Sequence, residues 1–135
     1  MFPGVPAALN IVGKQHRLAV ATSKSLAFAE PLLTALGLRQ SFEHVAGPDL
    51  HAHREDKEDT IRAALSVLGA SRAAMVGDRS YDILGAHACG IPAVGVTWGI
   101  GSRNELTAAR ADVIVDAPRD LPEALNGVLG APDAR

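Results

Sequence analysis

The sequence is poor in the features that mark many specialised classes of protein. It has one cysteine, Cys89, so no disulfide can form within the chain, and its apolar setting reads as a small buried hydrophobe. No apolar run reaches the ~18 residues that argue for a membrane-spanning helix. Thirteen Lys and Arg stand against fifteen Asp and Glu, a net charge of -2, which leaves no basic footprint for nucleic acid. The start, Met1-Phe2-Pro3-Gly4-Val5-Pro6, lacks a basic n-region and carries two early prolines, so it does not read as a signal peptide. A cytoplasmic location is the default expectation, with neither a nucleic-acid nor a membrane partner. Acids are also missing from one region: no Asp precedes Asp49 and no Glu precedes Glu30.

What remains is an ordinary globular composition. With 135 residues, 47% hydrophobic and 21% charged, the chain suffices for one domain around one core. The stretch that organises it is Ala73-Ala74-Met75-Val76-Gly77-Asp78-Arg79-Ser80-Tyr81-Asp82. Its apolar start reads as a short buried strand, Gly77 allows a sharp turn, and a helix follows up to Gly90, capped by Asp78 or Ser80. Asp78 and Asp82 then converge where a strand hands over to a helix, the rim on which open α/β sheets bind ligands. Two hard carboxylate donors there suit Mg2+. Alternatively, Asp78 is only a cap and Asp82 only a first-turn acid complementing the helix dipole.

The rest of the chain alternates in the same way. Ala7 to Val12 begins a helical pattern, and Leu18–Ala21 is a strand that empties into Thr22-Ser23-Lys24-Ser25. Leu26–Leu36 is a helix in which Pro31 predicts a kink or a late start. Phe42–Ala46 is a weak strand, followed by a polar loop from Gly47 to Asp56. Its His51 and His53, with His44 nearby, raise the thought of a transition-metal site, but nothing fixes their geometry. Lys57 opens an amphipathic helix with Ile61, Ala64, Leu65 and Leu68 on one face. Ala93–Thr97 and Val113–Val115 are further strands. Between them, Ser102-Arg103-Asn104-Glu105 reads as a capping box, and Trp98 anchors the loop ahead of it. His87 is expected to pack within its helix. A last helix starts near Asp120, and residues 131–135 read as a frayed tail. Alternation of this kind predicts an α/β fold with a parallel sheet.

Three polar stations recur in that frame: Thr22 and Ser23 after one strand, Lys57 at a helix start, and Asp78 with Asp82 after another strand. Hydroxyl, ammonium and carboxylates are what a phosphoryl site needs. Singly, each has a structural explanation as a cap or a solvated charge. As single basic residues, Lys24, Arg79 and Arg103 read as surface charges, though each could contact a substrate anion.

At this point the sequence resembles the haloacid dehalogenase-like (HAD) phosphatases, within them the phosphoglycolate phosphatase-like branch. Val20-Ala21-Thr22-Ser23-Lys24 matches the second family motif, Lys57 the third, and Met75 to Ala86 the fourth. Gly90–Val96 and Trp98–Ser102 are also similar to that branch. The resemblance implies a Rossmann-like three-layer core and an Mg2+-dependent phosphomonoester hydrolase acting on a small phosphorylated metabolite. It implies that Thr22 bonds the phosphoryl group, that Ser23 and Lys24 line its pocket, and that Lys57 neutralises charge. Asp78 and Asp82 would serve the metal, with Asp82 also holding Lys57.

The resemblance has a gap. The family's first motif, Asp-x-Asp-x-Thr, supplies the nucleophile, and no residue of this chain stands at that station; the helical cap domain is missing as well. The expectation is a C-terminal HAD-like core that is inactive or weakly active alone. Its central strands would be left with open edges, favouring self-association or a complementing N-terminal segment. The alternative is a non-catalytic domain binding a phosphorylated ligand or a protein partner. A receiver-type signalling domain also uses acids, a Thr and a Lys, but requires acids near the N-terminus that are absent here.

Overall fold

A computed structural model describes residues 2–48 and 56–130. Its elements alternate in the predicted order. They are α1 (Val5–Gln15), β1 (Ala19–Ala21), α2 (Leu26–Ala35), β2 (His44–Ala46), α3 (Lys57–Leu68), β3 (Met75–Gly77), α4 (Ser80–Ala88), β4 (Ala93–Val96), α5 (Arg103–Ala108), β5 (Val113–Val115) and α6 (Leu121–Leu129). The predicted tail at 131–135 and the histidines at 51 and 53 lie outside the described residues.

All strand pairs are parallel. β1 pairs β2, with Val20 opposite Val45. β4 pairs β3 on one side and β5 on the other, placing Val94 opposite Val76 and Val113. The strands form two sheets, β1-β2 and β3-β4-β5, and among the described residues no strand joins them. The two strands expected to flank a gap, β1 and β3, therefore each keep one edge unpaired; they have not closed up on each other.

Two cores flank the sheets. On one face Val12 of α1 and Leu121 and Leu125 of α6 pack with Val94, Val96 and Val115. On the other, Ile61 of α3, Ile83 and Ala86 of α4 and Leu106 of α5 pack around Ala93. Adjacent residues of β4 thus serve opposite faces, as the alternation of side chains along a strand requires. The same two cores extend to the smaller sheet: Leu18 joins the first and Ala21 the second. The result is the three-layer α/β arrangement expected.

Some local expectations are corrected. The helix containing Pro31 starts at Leu26, not late, because Ser25 Oγ accepts the Ala27 N–H and fixes its first turn. Neither Asp78 nor Ser80 caps α4 through its side chain. The cap residue is Arg79, and Asp82 reaches back to accept its N–H at 3.2 Å. His87 is exposed and does not pack within its helix; its Nε2 lies 2.9 Å from Asp112 Oδ2. Cys89 is half-buried rather than enclosed, with Sγ 3.4 Å from the Glu58 carbonyl, and partial burial raises its thiol pKa.

Candidate active site

The helix α3 carries Lys57 at its first position, and its packing against α4 decides where that ammonium goes. Gly85 sits at the crossing: a Cβ there would stand 3.1 Å from Ile61 Cδ1 and 3.2 Å from Lys57 Cγ. Glycine therefore lets α3 approach closely enough for Lys57 to reach Asp82, one turn earlier on α4. The Nζ to Oδ1 distance is 3.0 Å, with side chains 13% and 10% exposed. The same Nζ donates to the Ala21 carbonyl at the end of β1, at 2.7 Å. Lys57 thus connects the last residue of β1, in the smaller sheet, to the helix that follows β3 of the larger one.

Asp82 is heavily engaged. Its Oδ2 accepts the N–H groups of Asp78 at 3.1 Å and Arg79 at 3.2 Å, while Oδ1 takes the lysine. Of the roughly four acceptor positions of a carboxylate, three are filled. Asp78 differs. Its Oδ2 accepts the Ile100 N–H at 2.8 Å, and its other oxygen takes no hydrogen bond among the described residues. Its backbone carbonyl accepts the Gly101 N–H at 3.1 Å. A Cβ on Gly99 would collide with the Asp78 carboxylate, and one on Gly101 with its carbonyl. The loop 98–101 therefore forms a cradle that only residues without side chains can make at those two points.

Thr22 follows Ala21, and its N–H continues the ladder to the Ala46 carbonyl at 2.9 Å. Its Oγ1 accepts the Lys24 N–H at 3.0 Å, leaving the hydroxyl hydrogen free to donate. Ser23 and Lys24 are exposed. One connected run of contacts therefore passes from the Thr22 loop through Ala21, Lys57 and Asp82 to Asp78, and every link lies at the carboxyl ends of β1 and β3. An Mg2+ ion, which takes one or two protein carboxylates and completes its shell with water or phosphate, fits the Asp78 carboxylate.

Sequence reasoning marked the loop 98–101 as similar to the family branch but not its contacts with Asp78, and it missed one further part of this site. That part is Glu105. Ser102 Oγ accepts the Glu105 N–H at 3.1 Å, which is half of the expected capping box. The Glu105 carboxylate does not complete the box. It turns away to accept the Ser80 N–H at 2.7 Å and Arg79 Nε at 2.9 Å. Those two groups, the Ser80 N–H first, hold its carboxyl below the usual range. Arg79 and Arg103 are both engaged by acids, Arg79 with Glu105 and Arg103 with Asp116 at 2.6 Å. Trp98 packs on the α1–α6 core and stacks on Phe2, ring centroids 6.0 Å apart, so it anchors its loop as expected.

Comparison with known proteins identifies the family. The profile of the haloacid dehalogenase-like hydrolases matches residues 1–90. The chain is 43% identical over 132 residues to the "Probable phosphatase IndB" of Dickeya dadantii, covering 96% of this chain and 57% of that protein. It is 36% identical over 137 residues to the plasmid phosphoglycolate phosphatase of Cupriavidus necator, covering 99% and 59%. A crystal structure of a Clostridium difficile protein assigned as a phosphatase superposes with a TM-score of 0.88 at 32% identity, covering 93% of this chain and 60% of that one. The chain thus spans under two thirds of the relatives it matches. With a family profile across most of its length and relatives of this identity, the chain belongs to the haloacid dehalogenase-like hydrolases, in their phosphoglycolate phosphatase-like branch.

Proposed function

We propose that this chain supplies the phosphate- and metal-binding half of an Mg2+-dependent phosphomonoester hydrolase acting on a small phosphorylated metabolite. The observation that carries the reading is the double engagement of Lys57 with the Ala21 carbonyl and Asp82, which brings the Thr22 loop and Asp78 to one rim. Asp78 would hold Mg2+, with Asp82 reaching it through water. Bound there, the ion would neutralise charge on the phosphoryl oxygens. Thr22 donates its hydroxyl to a phosphate oxygen, and Ser23 and Lys24 border the same pocket. Asp82 fixes the Lys57 ammonium, which offsets negative charge at the transferring group.

Attack on phosphorus needs a carboxylate that the first 29 residues do not contain, since the earliest acid is Glu30. The unpaired edges of β1 and β3 offer a place for a complementing parallel strand carrying that group. By itself, the 135-residue chain is expected to hydrolyse p-nitrophenyl phosphate in Mg2+ no faster than background. Adding a segment with an apolar strand that ends in Asp-x-Asp-x-Thr should restore turnover, and Asp78→Asn should remove it. Turnover by the chain alone at the rate of an intact homologue would overturn the proposal. The missing early acid also supports a second reading, a non-catalytic domain that binds a phosphorylated ligand or a protein partner. Tight phosphate binding with no turnover after complementation would favour it.

A further inference from the structure

The acid Glu105 has a local task open to it that it does not perform. It stands three residues after Ser102, where a capping-box carboxylate returns to the cap residue's N–H. Instead it crosses to the turn after β3, 25 residues away in sequence, and takes the Ser80 N–H at 2.7 Å. It also takes Arg79 Nε, and the Arg79 guanidinium lies 5.2 Å above the Tyr81 ring. The Arg79 Cδ meanwhile sits 3.2 Å from where a Cβ on Gly101 would be. Arg79 is therefore held between α5, its preceding loop and α4.

These contacts bear on Asp78 from both sides. The successive N–H groups of Asp78, Arg79 and Ser80 are all taken by carboxylates, the first two by Asp82 and the third by Glu105. Three N–H groups at the entry to α4 are thus taken internally. A helix N-terminus ordinarily offers such N–H groups to an incoming anion. Here those three are already taken, so a bound phosphate would draw its donors chiefly from the Thr22–Lys24 loop and Lys57. The loop that precedes α5 holds the Asp78 carboxylate through the Ile100 N–H and its carbonyl through the Gly101 N–H.

We propose that Glu105 is a positioning residue for Asp78, locking the turn 77–80 against α5 so that the free Asp78 oxygen faces one direction. This inference rests on Asp78 being the metal-holding group of the proposed function. Partners that orient a metal ligand typically change affinity about 10- to 100-fold when lost. Titration of the 135-residue chain with Mn2+, followed by the ion's electron paramagnetic resonance signal, reads this without catalysis. Glu105→Ala should weaken Mn2+ about 10-fold, with loss of protection of the Ser80 amide from hydrogen exchange. Glu105→Gln, which keeps an oxygen for Ser80 but no charge for Arg79, should recover part of the affinity. It also serves as the test if the alanine variant does not fold. Asp78→Asn separates the two claims. If it leaves Mn2+ binding intact, or if the unaltered chain binds no Mn2+, the functional reading fails. If it abolishes binding while a folded Glu105 variant binds as the original does, the positioning role alone is wrong.

Discussion

The two sheets are built from similar residues and end in different states. β4, Ala93-Val94-Gly95-Val96, is buried along its whole length. β1, Ala19-Val20-Ala21, is no less apolar, yet none of its residues is fully buried. The difference is in neighbours. β4 has a strand on each edge and helices on both faces, whereas β1 has β2 on one edge and, among the described residues, no strand on the other. Burial of a short apolar strand is therefore a property of its place in the sheet, which composition does not report. β3 makes the same point inside the larger sheet: Met75 and Val76 are half-buried, although they pair with β4.

Four experiments would break or sharpen that contrast. The largest effect is expected where the two halves are joined. Asp82→Ala deprives Lys57 and two backbone N–H groups of their common partner, and removal of one member of a buried pair costs about 3–5 kcal/mol. Urea unfolding should show that loss. A change below 1 kcal/mol would mean the halves do not depend on this junction. Next is a matched pair. Val94→Ala, at a position with 0% exposure, should cost about 2–3 kcal/mol, and Val20→Ala in the smaller sheet about half as much. Equal losses would refute the account of burial given above.

The third prediction concerns acid. Asp112 accepts the Ala93 N–H at 2.8 Å and pairs with His87, tying the start of β4 to the start of β5. The Ala93 N–H first, then the His87 contact, lowers its carboxyl below the ordinary value. A carboxyl lowered in the folded state stabilises above its unfolded pKa of about 4. That contribution drains away as pH falls below this value. Asp112→Asn should therefore lower stability near neutrality and flatten the acid limb below about pH 4, the two chains converging in stability as pH falls. The smallest effect belongs to Arg103, whose pair with Asp116 is exposed at 54% and 64%. Arg103→Ala should leave the thermal midpoint unchanged, because such pairs exchange freely with water. A clear drop would show that surface pairing, as well as edge pairing, distinguishes the larger sheet.

Much of this was legible in the sequence because local rules acted alone. Helix α3 begins at Lys57 and stops before Gly69, since its apolar face recurs at helical spacing and glycine closes it. The strand-end positions of Thr22 and Asp78 followed from the same alternation. Glu105 was not legible in that way. Its spacing from Ser102 satisfies the capping-box pattern, and nothing local says that Ser80 and Arg79 will draw the carboxylate away. Residue pattern alone does not distinguish Asp82, which takes three donors, from Asp78, one of whose oxygens takes no hydrogen bond among the described residues; only the family resemblance assigned Lys57 to Asp82.

By itself, then, the sequence determined the alternation of elements, the family and the order of the polar stations, because periodicity, caps and motif spacing are written along the chain. The tertiary structure alone decided that the strands divide into two sheets, that Lys57 spans them, and that α5 grips the turn bearing Asp78. Those outcomes depend on which backbone edges and N–H groups find partners in space, a competition among residues far apart in the chain.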